Sequence, residues 1–370
     1  MPRNFGTVVD RFTGTGRPRR HGTVTYPPIG PPRSAVTKNV AYMKWGGGEL
    51  PTANTQSFEV LFLGQGGVGA APATPPACFY TSPQVTVPGT GWDYAVGYDQ
   101  ANAGGWMLRD ATTNALLTIG TGQYFLDPGN QAARVAFADS VLARCSQWNA
   151  EGIFHDDVQG WWAGLQGAMG SATPKSTTTG TAYTQASWQA AVAGWCQYVG
   201  GRLKANGKIC AYNAVKYIST GGGTAENNGD QVKELWSAIG NAGTHLCCEF
   251  WVFTPQGGRR RVGGEWFNQW DGWQSLAAFA HSLGTGFMTV HDTTALSDAI
   301  YSRASAMIDY VPGDLFVRTT GLTNPWDASF AKDLGLPSAA KYRVGNEWRR
   351  DFAGGTVRVD PVAGTATLPT

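Results

Sequence analysis

From residue 38 onward, short apolar runs alternate with segments whose apolar residues recur at helical spacing. The runs are NVAYMKW (39–45), FEVLFLG (58–64), GGWMLRD (104–110), EGIFHDD (151–157), KICAYNA (208–214), HLCCEFW (245–251), GFMTVHD (286–292) and GDLFVRT (313–319). Continuous apolar runs of this length read as strands buried on both faces, as in a parallel sheet. Helical spacing is clearest in 131–148, through Val135, Ala138, Val141, Leu142, Cys145 and Trp148. It recurs in 185–204, through Trp188, Val192, Trp195, Val199 and Leu203. Eight such alternations predict a (β/α)8 barrel over residues 37–335.

The two ends break the rhythm. Residues 1–36 are rich in Gly, Pro, Arg and Thr, and GTVVDRFTGTGRPRRHGTVTYPP (6–28) reads as strand, turn, strand and Pro-rich linker. A lone hairpin is marginal by itself, so this segment is expected to pair with another chain. Residues 336–370 alternate β-branched and polar positions around Gly354 and Gly355, which predicts a C-terminal β-hairpin packed on the barrel. GSATPKSTTTGTAYT (170–184) is a long loop after the fourth run, a common location for function.

Composition narrows the class. The 370 residues carry a formal net charge of +2, which leaves no electrostatic footprint for nucleic acid. Arg259, Arg260 and Arg261 read as a solvated loop. Charged residues are only 15% while Trp reaches 15 residues, a balance met in carbohydrate-active proteins because indole faces stack on sugar C–H faces. Most of these tryptophans are nonetheless expected in the core. The six cysteines show no C-x-x-C or zinc spacing and read as buried free thiols. The N-terminal residues have no apolar signal region, and no apolar run reaches membrane-spanning length. No P-loop, dinucleotide fingerprint or nucleophile elbow appears, so no cofactor is expected.

Barrel active sites form at the C-terminal ends of the strands. The run ends place Lys44 and Trp45, Arg109 and Asp110, Asp156 and Asp157, Tyr212 and Asn213, Glu249 and Trp251, His291 and Asp292, and Arg318 at one mouth. Strand side chains alternate, so only one of Asp156 and Asp157 faces the mouth squarely. Asp156 is taken as that one. Asp157 serves as support, as a sugar ligand, or as a helix N-cap. Glu249, flanked by Cys248, Phe250 and Trp251, is costly to bury without a purpose. It supplies the second carboxylate unless it forms a structural ion pair. Paired carboxylates across a pocket are what glycosidic cleavage requires. Lys44, Trp45, Arg109, Asp110, Trp161, Asn213, Trp251, His291 and Asp292 are the candidate substrate contacts. The Gly- and Trp-rich segment 254–273, with Trp266, Trp270 and Trp273, either covers the mouth or packs. His155, His245 and His291 match no metal spacing and read as core or hydrogen-bonding histidines.

The stretches GGWMLRDATTNALL (104–117) and FLDPGNQAARVAFADSVLARCSQWNAEGIFHDDV (125–158) resemble a family of glycoside-hydrolase-like barrels of bacteria and phages. KICAYNA, HLCCEFW and WRRDFAGGTVRVDP (348–361) are similar to it as well, so the resemblance spans residues 38–368. It implies a (β/α)8 fold, glycosidase activity, and catalytic carboxylates at Asp156 and Glu249. One departure is Glu151, where the family carries Asp. The segment 6–28 resembles the start of tail proteins from phages that infect actinobacteria. That implies a minor tail protein carried outside the cell by the virion, bound to other tail proteins through residues 1–36, present as a homo-oligomer, and meeting the host envelope polysaccharide first. The alternatives are a non-catalytic carbohydrate-binding or structural tail protein on the same barrel, since fold alone does not fix chemistry.

Overall fold

The computed structural model describes residues 40–44, 59–64, 76–81, 85–86, 88, 95–119, 122–156, 158–160, 172–214, 218–220, 223–225, 229–249, 252, 259, 261–262, 270–291, 295–318 and 332–369. Residues 1–36, expected to form a hairpin, lie outside this set, as do 161–171 and nearly all of 250–269.

Eight parallel strands form the centre: β1 (Val40–Lys44), β2 (Val60–Leu63), β3 (Ala77–Thr81), β4 (Gly152–His155), β5 (Ile209–Asn213), β6 (His245–Glu249), β7 (Gly286–His291) and β8 (Leu315–Arg318). Each pairs with its sequence neighbour, and β8 returns to β1, so the hydrogen bonds close into a ring. The architecture is a TIM-like α/β barrel. Helices α2 (Gln131–Gln147), α3 (Gln185–Ala205), α4 (Gly229–Ile239), α5 (Trp270–Ser282) and α6 (Leu296–Ile308) follow β3, β4, β5, β6 and β7 in turn. A short α1 (Tyr98–Ala103) precedes α2 in the β3–β4 connection. Local chemistry starts the longer helices where the sequence predicts them. Asn130 caps α2 by accepting from the Ala132 and Ala133 amides. Thr184 and Ser187 form a reciprocal capping box at α3.

Strand alternation separates two apolar layers. Met43, Phe62, Cys78, Phe154, Cys247 and Met288 fill the barrel interior. Ile153, Leu246 and Phe316 face outward, into the cluster to which α2 to α5 contribute Phe137, Trp195, Trp236 and Trp273. All six cysteines are buried.

Seven of the eight strands coincide with the apolar runs, and the third does not. The barrel's third strand is Ala77–Thr81, and the run at 104–110 belongs to a rim structure instead. There Met107 and Leu108 lie between the 115–117 and 125–127 segments. Leu108 donates to Phe125 O, Leu117 to Leu108 O and Asp127 to Trp106 O. Arg109–Asp110 pairs antiparallel with Pro174–Lys175, so the connections leaving β3 and β4 are stitched together above the barrel. The run is apolar because both of its faces are covered, which mimics a barrel strand.

The C-terminal element also exceeds expectation. The hairpin at Gly354 and Gly355 is the middle of a four-stranded antiparallel sheet, β9 (Tyr342–Val344), β10 (Glu347–Phe352), β11 (Gly355–Asp360) and β12 (Thr365–Thr367). Its outer strands are only three residues long, too short to register as alternation. The sheet docks on α6 and the turn after it. Buried Arg350 donates to Ile308 O at 3.0 Å and Tyr310 O at 2.7 Å, satisfying carbonyls at the helix end. Lys341 pairs with Asp309 at 2.7 Å.

Strand β4 has one strict requirement. Gly152 adopts φ 154°, and a Cβ at this position would overlap the backbone carbonyl of Ile209 on β5. Backbone cannot swing aside as a side chain can. Gly152→Ala is therefore expected to destabilise the barrel by about 3 kcal/mol or more, or to prevent folding. Denaturant unfolding checks this, and a loss under about 1 kcal/mol would show that β4 and β5 have more room than their spacing indicates.

Candidate active site

Asp156 follows β4 at the C-terminal mouth. Phe154 lies in the interior cluster, so the residue two positions on returns to the same face. The backbone there is pinned on both sides: Asp156 N donates to Thr81 O at 3.1 Å, and Val158 N to Asn213 O at 3.0 Å. The side chain is 7% exposed. Tyr80 Oη donates to Asp156 Oδ2 at 2.6 Å, and Asn213 Nδ2 donates to Oδ1 at 2.6 Å. Each donor stands on a strand flanking β4. Tyr80 itself stacks on Phe154, ring centroids 6.1 Å apart, and Phe154 meets Phe62 edge-on at 5.8 Å.

Among the described residues, α3 is capped by Thr184 and not by this carboxyl group. Both oxygens act as acceptors, each from one donor among the described residues. A carboxylate held this way can attack an electrophilic carbon or take a proton from water, with its orientation set by two strands rather than by a loop.

Of the candidates named from the sequence, the structure brings Asp156 and Asn213 together. Glu249 ends β6 with its backbone in register with Val290, and Lys44 and His291 end β1 and β7 in register with Leu63 and Arg318. The side chains of these three lie outside the described residues, as do Asp157, Trp45, Trp161, Trp251 and Asp292 entirely. Arg109 and Asp110 are corrected: they sit on the rim ladder, not at a barrel strand end. Of the two readings of Trp270 and Trp273, the structure shows packing. Both are buried in α5, where Trp270 Nε1 donates to Ser305 Oγ at 2.9 Å.

Tyr80 is the residue that sequence reasoning missed. Its signal was present in the run ACFYT (77–81) after Pro76, masked by the Gly-, Ala- and Pro-rich residues before it. Asp127 was missed too. Fully buried, it accepts from Gly129 N at 2.8 Å, Thr177 N at 2.6 Å, Thr177 Oγ1 at 2.7 Å and Tyr183 Oη at 2.5 Å. Burial first, then the Asp127 charge and hydrogen bond, push the Tyr183 phenol well above its usual range. Asp127 thereby fastens the Ser/Thr/Gly loop that follows β4.

His245 is a hydrogen-bonding group and His155 a packing group. His245 lies at the opposite end of the barrel, between Thr244 Oγ1 at 3.0 Å and Gly313 O at 2.7 Å. His155 points outward between Phe137 and Tyr212, ring centroids 5.2 and 5.5 Å away. It is 0% exposed, and neither ring nitrogen has a hydrogen-bond partner among the described residues. Among the described residues no three His, Cys, Asp or Glu side chains are grouped to hold a metal ion. No helix among them is long and apolar enough to cross a membrane.

No family model matches the chain, and no curated protein sequence matches it, so the family resemblance stays at the level of the motifs. Solved structures do match. A cycloisomaltooligosaccharide glucanotransferase from Paenibacillus sp. aligns with TM-score 0.44 and 11% identity over 70% of this chain and 39% of its own. A cycloalternan-degrading enzyme from Trueperella pyogenes aligns with TM-score 0.43 and 11% identity over 78% of this chain and 44% of its own. An endo-beta-N-acetylglucosaminidase from Cordyceps militaris aligns with TM-score 0.37 and 9% identity over 76% and 81%. These neighbours are carbohydrate-processing enzymes, and the chain spans about two-fifths of the length of the first two.

The environment of His155 has a consequence for stability. Burial lowers its pKa from 6.5 to about 3. The unfolded chain therefore takes up this proton near pH 6.5, while the folded chain does so only near pH 3. Stability is full above pH 6.5 and falls by about 1.4 kcal/mol per unit as pH drops through that window. Replacing His155 by Phe, which suits the aromatic pocket, is expected to flatten the decline. Urea unfolding at pH 7, 6 and 5 compares the two proteins, and parallel declines would mean that His155 is not the group that titrates.

Proposed function

We propose that this protein is a phage tail-associated glycoside hydrolase that cleaves host cell-envelope polysaccharide with two carboxylates. The observation that supports this best is the seating of Asp156, with both oxygens accepting hydrogen bonds from Tyr80 and Asn213 on the adjoining strands. Asp156 either attacks the anomeric carbon itself or takes the proton of the water that attacks it. Glu249 is the partner that protonates the leaving oxygen. Its position in β6 favours this, since residue 249 shares the strand parity of Cys247, an interior residue. The barrel, read as (β/α)8 throughout, is the platform, with Lys44, Trp45, Trp161, Trp251, His291 and Asp292 as sugar contacts. The virion setting, attachment to other tail proteins through residues 1–36 and homo-oligomeric assembly are drawn from the sequence resemblance.

Release of reducing ends from purified actinobacterial envelope polysaccharides tests the reading. Wild type releases them; Asp156→Asn and Glu249→Gln are expected to release none above background while remaining folded. Tyr80→Phe keeps the ring on Phe154 and removes one donor to a charged group, so kcat/KM is expected to fall roughly tenfold to a hundredfold. Full turnover by Asp156→Asn removes that residue from its role. Saturable binding without release by wild type replaces the enzyme with a carbohydrate-binding tail protein.

A further inference from the structure

Arg109 and Lys175 stand directly opposite each other on the rim ladder. Opposed residues of an antiparallel pair have Cβ atoms about 5 Å apart, and like charges so placed repel. Here both cations converge on one residue. Arg109 Nη1 donates to Asn114 O at 2.9 Å, and Lys175 Nζ donates to Asn114 Oδ1 at 2.6 Å. Asn114 holds a left-handed backbone, φ 60°, which presents both oxygens to the pair and which asparagine tolerates better than most residues.

Those oxygens are neutral, so they orient the cations without offsetting their charge. Asp110, the nearest carboxylate in sequence, is committed elsewhere. It accepts from Thr112 N and Thr113 Oγ1, both at 3.0 Å, and its pKa is held down first by the Thr112 amide, with neither cation contributing. Four other described cations have carboxylate partners, Arg202 with Asp139, Arg259 with Asp298, Lys341 with Asp309 and Arg349 with Glu347, while Arg134, Lys204 and Lys208 each stand alone on carbonyl oxygens. Among the described residues neither Arg109 nor Lys175 has a carboxylate partner. The ladder carrying them joins the connections that leave β3 and β4, at the end of the barrel where Asp156 lies.

We propose that Arg109 and Lys175 form an anion subsite, set by Asn114, that takes a carboxylate or phosphate carried on the glycan, so that the substrate is an acidic polysaccharide. A guanidinium fork beside a compact ammonium suits either group. That the anion is borne by a glycan rests on the glycoside-hydrolase reading above.

The test uses one envelope polysaccharide in three forms: native, carboxyl-reduced, and freed of phosphate with hydrogen fluoride. Affinity is measured by titration calorimetry for wild type and for the double variant Arg109→Gln, Lys175→Gln. Wild type is expected to lose roughly tenfold in affinity for one of the two neutralised forms, and which form loses it identifies carboxylate or phosphate. The double variant is expected to bind all three forms alike, at the weaker level. Equal wild-type affinity for the three forms overturns the subsite, as does a double variant that keeps the wild-type preference. Reducing-end release is read in parallel. Charge-dependent binding without release overturns the hydrolase and leaves the subsite. Release with no dependence on charge overturns the subsite and leaves the hydrolase. Absence of binding to every form overturns both.

Discussion

The phase of strand β4 is the constraint on which the site depends. Phe154 occupies the barrel interior between Phe62 and Tyr80. That contact sends Ile153 and His155 outward to the helices and returns Asp156 to the mouth. A slip of one residue would exchange every side chain between faces. A slip that moved Asp156 into the place of His155 would drive its carboxylate into the aromatic layer under α2 and α3. The cost of that exchange is large, because an unpaired charge among Phe137, Trp195 and Tyr212 has nothing to solvate it. The same apolar packing that stabilises the fold therefore fixes the chemistry of the mouth.

The neighbours β3 and β5 then decide what Asp156 becomes. They contribute Tyr80 and Asn213, one donor to each oxygen. A closed ring of parallel strands makes this arrangement natural, since the last inward residues of adjacent strands meet at one rim. His155 shows the contrast within a single residue step. Among the described residues it has no hydrogen-bond partner, and burial lowers its pKa, while Asp156 is met by two donors. Adjacent titratable groups thus experience opposite environments, and the cause is the two-residue period of the strand.

Much of this was legible in the sequence. Runs such as KICAYNA and GFMTVHD declare buried strands because a parallel barrel covers both of their faces. Asp156 and Asn213 could be named because they end such runs. What was not legible has a definite physical origin. ACFYT is as apolar as the others but follows a Gly-, Ala- and Pro-rich segment that reads as loop. GGWMLRD is apolar for a different reason, being enclosed by antiparallel neighbours on the rim. The two signals are equivalent locally, and only long-range pairing distinguishes Tyr80's strand from Arg109's. The same limit hid Asp127, whose partners Thr177 and Tyr183 lie 50 and 56 residues away.

The rim structure explains why the chain inserts so much between β3 and α2. A bare barrel mouth is shallow and open to water. Here the segment 95–130 and the loop 172–184 are fastened to each other by the rim ladder and by Asp127, and then to the barrel by Gln185 and Trp188. Those two donate to Gly160 O and Gln159 O in the turn after β4. The wall on this side is therefore hydrogen-bonded into the framework that carries Asp156, three residues before Gln159. Groups on such a wall keep a fixed distance from the carboxylate, which loops free to move would not provide. That rigidity lets a contact on the rim affect events at the strand end. It also accounts for the placement of charge. The barrel interior is apolar and cannot hold unpaired cations, whereas the rim, half in water, can carry Arg109 and Lys175.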